Sequence, residues 1–342
     1  MVFGIIVLVL LVISVLTNFT QFFGGMMSMG GMPRARHAGP KLEEVLLEDH
    51  NASAKIAVVE VEGIISSQIK QGGCDIVDLI RAQLERAAES DMVKAVILKV
   101  NSPGGEVLAS DEINRAIEDF QSKHNKPVVA SMGSLAASGG YYVSTPCKWI
   151  VANELTITGS IGVILHSLNY RGLMDKIGLH SEVYKSGKFK DMLSGSRRPD
   201  ETTDEERAML QKLIDDTYKK FKSVVSDGRG RPFKQDGKAG KHLSDGWEEY
   251  ADGRVLSGKE AFDLGFVDEL GNFETAFTRA KKLAGITRAN LVQYRQRIDL
   301  ADLFSLFGES KSESKVIKVD IGMDIPKLQA GQLYFLYLPM SR

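Results

Sequence analysis

The chain has 342 residues, with 43 Lys and Arg against 44 Asp and Glu and 43% hydrophobic side chains, enough to bury one large core or two smaller ones. Near-neutral charge leaves no electrostatic footprint for nucleic acid. Two cysteines, Cys74 and Cys147, are too few for a disulfide framework, and the six histidines form no HExxH-like pair, so neither a metal nor another cofactor is expected.

No charged side chain occurs from Met1 to Pro33. Val2 to Phe23 is long enough to span a bilayer at roughly 1.5 Å per residue. A basic n-region and an A-x-A-like cleavage site are both missing, so residues 1–23 are expected to be an uncleaved transmembrane anchor. Arg34, Arg36 and Lys41 follow it, and the positive-inside rule alone would put the main domain in the cytoplasm. The Gly- and Met-rich run from Gly24 opens a linker expected over 24–54.

A regular α/β rhythm then begins. Lys55–Val61 reads as a strand, Ile76, Ile80, Leu84 and Ala87 as the stripe of a helix, and Val93–Val100 as a mostly buried strand. The turn NSPGG and a helix near Val107–Ser122 lead to a strand at Pro127–Ala130. Strands separated by helices at this spacing predict parallel βαβ units with right-handed crossovers, and such sheets carry functional loops at the carboxyl ends of their strands. Two loops fall there, Asn101–Gly105 and SMGSLAASGGYY over 131–142. Further on, a helix near Ser167–Ile177, a strand at Ser181–Tyr184 and an amphipathic helix over Thr203–Ser226 are expected. Asp227–Gly246 reads as a mobile loop, and Arg254–Gly271 as a turn, a short helix and a buried return. The weakly patterned tail over 286–342 contains QLYFLYLP, either an edge strand or a hydrophobic contact.

Ser138 is framed by Ala136 and Ala137 before it and Gly139 and Gly140 after it, so other backbone or a substrate chain can approach its hydroxyl closely. Tyr141, Tyr142 and Val143 look like the first turn of a buried helix, which would aim free N–H groups back at Ser138 and suit an oxyanion. Taken alone, the stretch also fits a small-residue turn that lets a helix pack on a sheet. In the other loop, Pro103 restricts Ser102 to extended geometry while Gly104 and Gly105 let amides turn toward a ligand. That makes either a second oxyanion donor or a tight strand-to-helix turn; it is not a phosphate loop.

A serine nucleophile needs a base. Ala136 replaces the first glycine of a G-x-S-x-G elbow, and no His and Asp partners are evident. The remaining candidates are Lys185, Lys188 and Lys190, which act as bases only where burial favours the neutral amine. The residues alone do not choose among them.

The anchor together with VNSPGG, SLAASGGYY, TITGSIGV, YKSGKFKD and ADGRVLSGKEAFDLGFVDELG resembles the signal peptide peptidase A family, membrane-attached Ser/Lys proteases of the ClpP/crotonase-like fold. The similarity covers about Lys55 to Ala284, within a protease domain expected over 55–285. The resemblance implies Ser138 as nucleophile, Lys190 as general base, Gly105 and the Gly139 amide as the oxyanion hole, and Ser160 as the group that orients the lysine amine. It implies a ring- or dome-like homo-oligomer on the membrane bilayer, with the catalytic domain on the extracytoplasmic side. It also implies peptide substrates, cleaved signal peptides and unfolded segments among them, and small residues around Ser138 suit small apolar side chains at the cleavage site. Two other classes share parts of the pattern: a crotonase-like acyl-CoA enzyme, and a catalytically silent membrane scaffold.

Overall fold

Continuous apolar runs such as Lys55–Glu62 and Val93–Ser102 must bury both faces of the sheet they form. The computed structural model describes residues 40–68, 74–230, 234–235, 238–297 and 333–336. The expected anchor lies outside them, and no helix among the described residues is long and apolar enough to cross a membrane. The elements, in chain order, begin with β1 (Leu42–Glu48), β2 (Lys55–Glu62), α1 (Ile76–Glu89), β3 (Val93–Ser102), β4 (Gly104–Glu106) and α2 (Val107–His124). Next come β5 (Val128–Ala137), α3 (Gly139–Ser144), β6 (Trp149–Ala152), β7 (Ile157–Gly159), β8 (Ile164–Leu165), α4 (Arg171–Lys176) and α5 (Asp204–Arg229). The short pair β9 (Lys234–Gln235) and β10 (Lys238–Ala239) precedes β11 (Val255–Ser257), α6 (Gly258–Asp263), β12 (Glu269–Leu270), α7 (Phe273–Leu283), β13 (Asn290–Gln296) and β14 (Leu333–Leu336).

The main sheet runs β1-β13-β2-β3-β5-β6-β12, and every pairing from β13 to β12 is parallel. The fold is thus mixed α/β with a mostly parallel sheet. Side chains alternate across it. Ala57, Val59, Val61, Val96 and Leu98 join the core under α1, α2 and α3, whereas Ile56, Val58, Ala95 and Ile97 pack with Ala276, Phe277 and Ala280 of α7. The stripe expected on α1 is buried throughout, and Asp75 caps that helix by accepting from the Asp78 amide at 2.9 Å.

Several elements differ from the reading of the sequence. The sheet gains β1 from the expected linker and β13 from the expected tail. β1 is hard to read because it is an exposed antiparallel edge with Glu43, Glu44 and Glu48, charges that guard an edge against further pairing. Residues 181–184 form no strand, and the helix expected over 167–177 is reduced to α4, with no buried residue; Leu168, Leu173, Ile177 and Tyr184 all stay exposed among the described residues. Residues 227–229 complete α5 instead of opening a loop. There Arg229 makes a bidentate pair with Asp268 at 2.7 and 2.9 Å, both side chains almost wholly buried. The amphipathic helix is present, with a Thr203–Glu206 capping box. Its second half buries Phe221 and Val225, while Met209 and Leu213 in its first half stay exposed.

Candidate active site

Strand β5 delivers the candidate nucleophile because it forks. Its first half, Val129–Ser131, pairs with β6, and its last turn of pleat, Leu135–Ala137, pairs with β7. The chain must then reverse at once into α3. Ser138 makes that reversal at φ 55°, ψ −116°, the geometry of the first central position of a type II′ turn, which favours glycine. A serine held there costs of the order of 1–3 kcal/mol, and such outliers concentrate at functional sites. Its amide donates to the Gly159 carbonyl and its carbonyl accepts from the Tyr142 amide, both at 2.8 Å. The residue is 1% exposed.

The Asn101–Gly105 loop comes alongside. Ser102 fixes it, its hydroxyl donating to the Gly63 carbonyl at 2.6 Å and accepting from the Gly104 amide at 3.0 Å. β4 is bonded along one edge to Ile65, whose amide donates to the Gly104 carbonyl at 2.9 Å and whose carbonyl accepts from the Glu106 amide at 2.8 Å. Strand alternation therefore turns the N–H of Gly105 to the opposite edge. A Cβ on Gly139 would stand 3.0 Å from the Gly104 Cα and 3.1 Å from the Gly105 nitrogen, and one on Gly105 would stand 1.9 Å from the Ile65 carbonyl oxygen. Only glycine permits this crossing, and it sets the two expected oxyanion donors, Gly105 and Gly139, side by side.

Ser160 follows Gly159, the hydrogen-bond acceptor of Ser138, and is itself at φ 50°. It is 7% exposed and its amide donates to the Arg254 carbonyl at 2.7 Å. The structure thus brings Ser138, Gly139, Gly105 and Ser160 into one neighbourhood. Lys190 is different: it lies on a turn, its amide donating to the Gly187 carbonyl at 3.2 Å, and its side chain is exposed. The two competing lysines are committed to carboxylates, Lys185 to Asp191 at 2.7 Å and Lys188 to Glu205 at 2.5 Å. The Lys190 amine has no such partner among the described residues.

Other polar groups near the turn are unsuited to proton transfer. Burial pushes the Tyr142 phenol far up, and its donation to Asp111 at 2.8 Å adds to the shift. Burial likewise raises Tyr141 and the Cys147 thiol, so both stay neutral and unreactive. Reading the sequence missed Glu106. Burial would raise its carboxyl, but hydrogen bonds from Ser67 and Ser66 outweigh that and hold it low. The Ser66 and Ser67 hydroxyls reach it at 2.7 and 2.6 Å, clamping β4 to the strand-end turn after β2. Nothing in the local pattern of Gly-Gly-Glu signals that clamp.

A serine on a strained strand-to-helix turn, facing two convergent amides, is the arrangement of a serine hydrolase. Residues 120–287 match the model of peptidase family S49. A "Putative signal peptide peptidase SppA" of Enterococcus faecium is 34% identical over 273 residues, 78% of this chain and 75% of that one. "Protease 4" of Haemophilus influenzae is 37% identical over 251 residues, 72% of this chain and 38% of its own length. "Serine protease SPPA, chloroplastic" of Arabidopsis thaliana is 34% identical over 265 residues, 75% of this chain and 37% of its own. The chain belongs to peptidase family S49, the family of signal peptide peptidase A, and is a serine-type peptidase. The acyl-CoA and silent-scaffold alternatives fall with that assignment.

Proposed function

We propose that the chain is a membrane-attached endopeptidase of the ClpP/crotonase-like type in which Ser138 attacks the peptide carbonyl and Lys190 takes its proton. The observation that carries this reading is the backbone of Ser138, held at φ 55° beside the amides of Gly139 and Gly105. As the hydroxyl oxygen bonds to the carbonyl carbon, the proton passes to the uncharged amine and the two amides stabilise the oxyanion, each donor worth about 3 kcal/mol in comparable sites. The lysine then protonates the leaving amine, and water releases the acyl-enzyme. Ser160 orients the lysine amine.

A lysine serves as base only when shielded from water, and Lys190 is exposed in the single chain. The same arm also exposes Leu168, Leu173, Ile177 and Tyr184, at 70%, 62%, 66% and 91%. A second copy laid on this arm would bury those side chains and Lys190 together, which supports a ring- or dome-like homo-oligomer with an enclosed chamber. The signal peptide peptidase named for the E. faecium relative supports cleaved signal peptides and other short or unfolded peptides as substrates. Anchoring by Val2–Phe23, with the catalytic domain on the extracytoplasmic side, fits that substrate.

The decisive experiment labels the purified full chain with a fluorophosphonate probe and follows hydrolysis of unfolded peptides. Labelling and cleavage that vanish in Ser138→Ala support the reading; cleavage that persists in this variant removes it. Protease protection in spheroplasts tests the orientation.

A further inference from the structure

Strand β4 carries the Gly105 amide, and two of its three residues, Gly104 and Gly105, have no side chain. Backbone pairing alone fixes the register of such a strand weakly. Glu106 bears the one side chain that can pin it. That carboxylate accepts from the Ser66 hydroxyl, the Ser67 hydroxyl and, at 3.0 Å, the Ser67 amide. The other ties of the loop run to the same short segment after β2. The Gly63 amide donates to the Asn101 carbonyl at 3.0 Å, Ser102 bridges the Gly63 carbonyl and the Gly104 amide, and Ile65 is bonded to Gly104 and Glu106. On the α2 side, the Glu106 carbonyl accepts from the Ser110 hydroxyl at 2.8 Å. A Cβ on Gly139 would stand 2.7 Å from that same hydroxyl oxygen. Glu106 is thus held on both sides of the crossing that sets Gly105 beside Gly139.

Burying a carboxylate is costly unless a cation pairs with it. Glu106 is 6% exposed, and among the described residues its partners are the neutral donors of two serines. An apolar side chain of equal length would pack there at less cost. What the charge adds is geometry, because three charge-assisted hydrogen bonds converge on one carboxylate and such bonds are shorter and stronger than neutral ones.

Resting on the peptidase reading above, we propose that Glu106 is a positioning residue for hydrolysis: clamped by Ser66 and Ser67, it fixes where the Gly105 amide meets the oxyanion. The carboxylate touches no reacting atom. It acts through the strand, and a shift of β4 by a fraction of an ångström takes the donor away from the tetrahedral oxygen. The loss therefore falls on the transition state and leaves binding of the ground-state peptide largely intact.

The test uses the full chain, one internally quenched unfolded peptide and a peptidyl boronate, whose tetrahedral anion binds the same two amides as the transition state. Glu106→Met keeps the length of the side chain but leaves the Ser67 amide without its acceptor. It should lower kcat by about 10²-fold, the scale of a group displaced by an ångström, with KM within about threefold of the parent. The boronate inhibition constant should rise in step with the loss in kcat, which a merely structural role would not produce. Glu106→Gln, which can still accept from Ser67 and donate to Ser66, should stay within about fivefold of the parent. The double variant Ser66→Ala, Ser67→Ala should lose at least about tenfold in kcat. Adding Glu106→Met to it should cost less than the product of the separate losses, since both break one network. A lower melting temperature with kcat and boronate affinity unchanged overturns the proposal, as do losses that multiply in the combined chain. Where Glu106→Met does not fold, the serine variant and Glu106→Gln carry the same comparison. Should the unaltered chain neither cut the peptide nor take up a fluorophosphonate, hydrolysis at Ser138 is what fails. Amide exchange over residues 102–108 then decides the clamp: faster exchange in the serine variant, with β2 and β3 still protected, keeps it and unchanged exchange removes it.

Discussion

The amide of Ser138 donates to the carbonyl of Gly159, so the strained turn is fastened to the neighbouring strand β7 and does not relax into an ordinary helix start. Glycine adopts φ 55°, ψ −116° without a Cβ penalty, so stability and activity are set against each other at this position. Ser138→Ala and Ser138→Gly should both lose at least about 10⁴-fold in kcat. Ser138→Gly should be the more stable of the two by about 1 kcal/mol, the relieved strain exceeding the entropy gained by the unfolded chain. Thermal melts of the pair check this, and a less stable Gly variant contradicts the strain argument.

Lys190 is distinguished from its neighbours by what it lacks. Lys188 pairs with Glu205 at an exposed site, with 67% and 57% of the side chains open to solvent, and its loss should cost under about 1 kcal/mol of stability. Lys188→Ala should therefore keep kcat within a few-fold of the parent. Lys190→Ala should lose about 10³-fold, the usual scale of a missing general base, with the melting temperature unchanged. Steady-state kinetics on the two variants separates the assignments.

The arm that carries Lys190 places Leu173 and Tyr184 in water in the single chain. If a second copy buries this arm, Leu173→Asp and Tyr184→Asp should reduce the assembly to smaller species, and activity per subunit should fall with it. The isolated subunit should keep its melting behaviour, since neither side chain touches the core. Light scattering on the eluting peak, with activity measured on the same fractions, checks the link; full activity from a monomer refutes it.

Much of this fold was legible in the chain. The continuous apolar runs of β2 and β3 and the stripe of α1 are direct readings of residue pattern, because buried parallel strands and amphipathic helices advertise themselves locally. Ser138 was legible for a related reason: a serine among Ala and Gly marks a place where backbone must come close. The arm from 167 to 198 was not, since its apolar residues mimic a strand and a helix, yet Leu168, Leu173, Ile177 and Tyr184 find nothing to cover them among the described residues. The role of QLYFLYLP was invisible for the opposite reason. Its continuous apolar run is plain, yet the partners of Leu333–Leu336, which are Gly104–Glu106 and Ile164–Leu165, lie about 170 to 230 residues away in sequence, and only tertiary structure selects them.

The acid stability of the Lys190 arm is set by two carboxylates. A hydrogen bond from Arg197 at 2.6 Å, with a further one from the Thr203 amide at 2.8 Å, takes Glu206 from the ordinary 4.5 to about 2. Asp191, beside Lys190, is also lowered, first by its hydrogen bond from Lys185 and then by Arg197 at 3.6 Å. Glu206 is 2% exposed, sealed by these immediate partners although the arm around it is thinly packed. Both groups bind protons more weakly in the folded arm than in the unfolded chain, so their contribution is complete above about pH 4.5 and disappears as pH falls toward 2. Amide exchange across residues 185–200 should accelerate through that window while β2 and β3 stay protected. Glu206→Gln should flatten the pH dependence, since the amide keeps the size of the side chain but cannot titrate. Exchange in the arm that does not change between pH 5 and 3 would show that these pairs do not hold it in place.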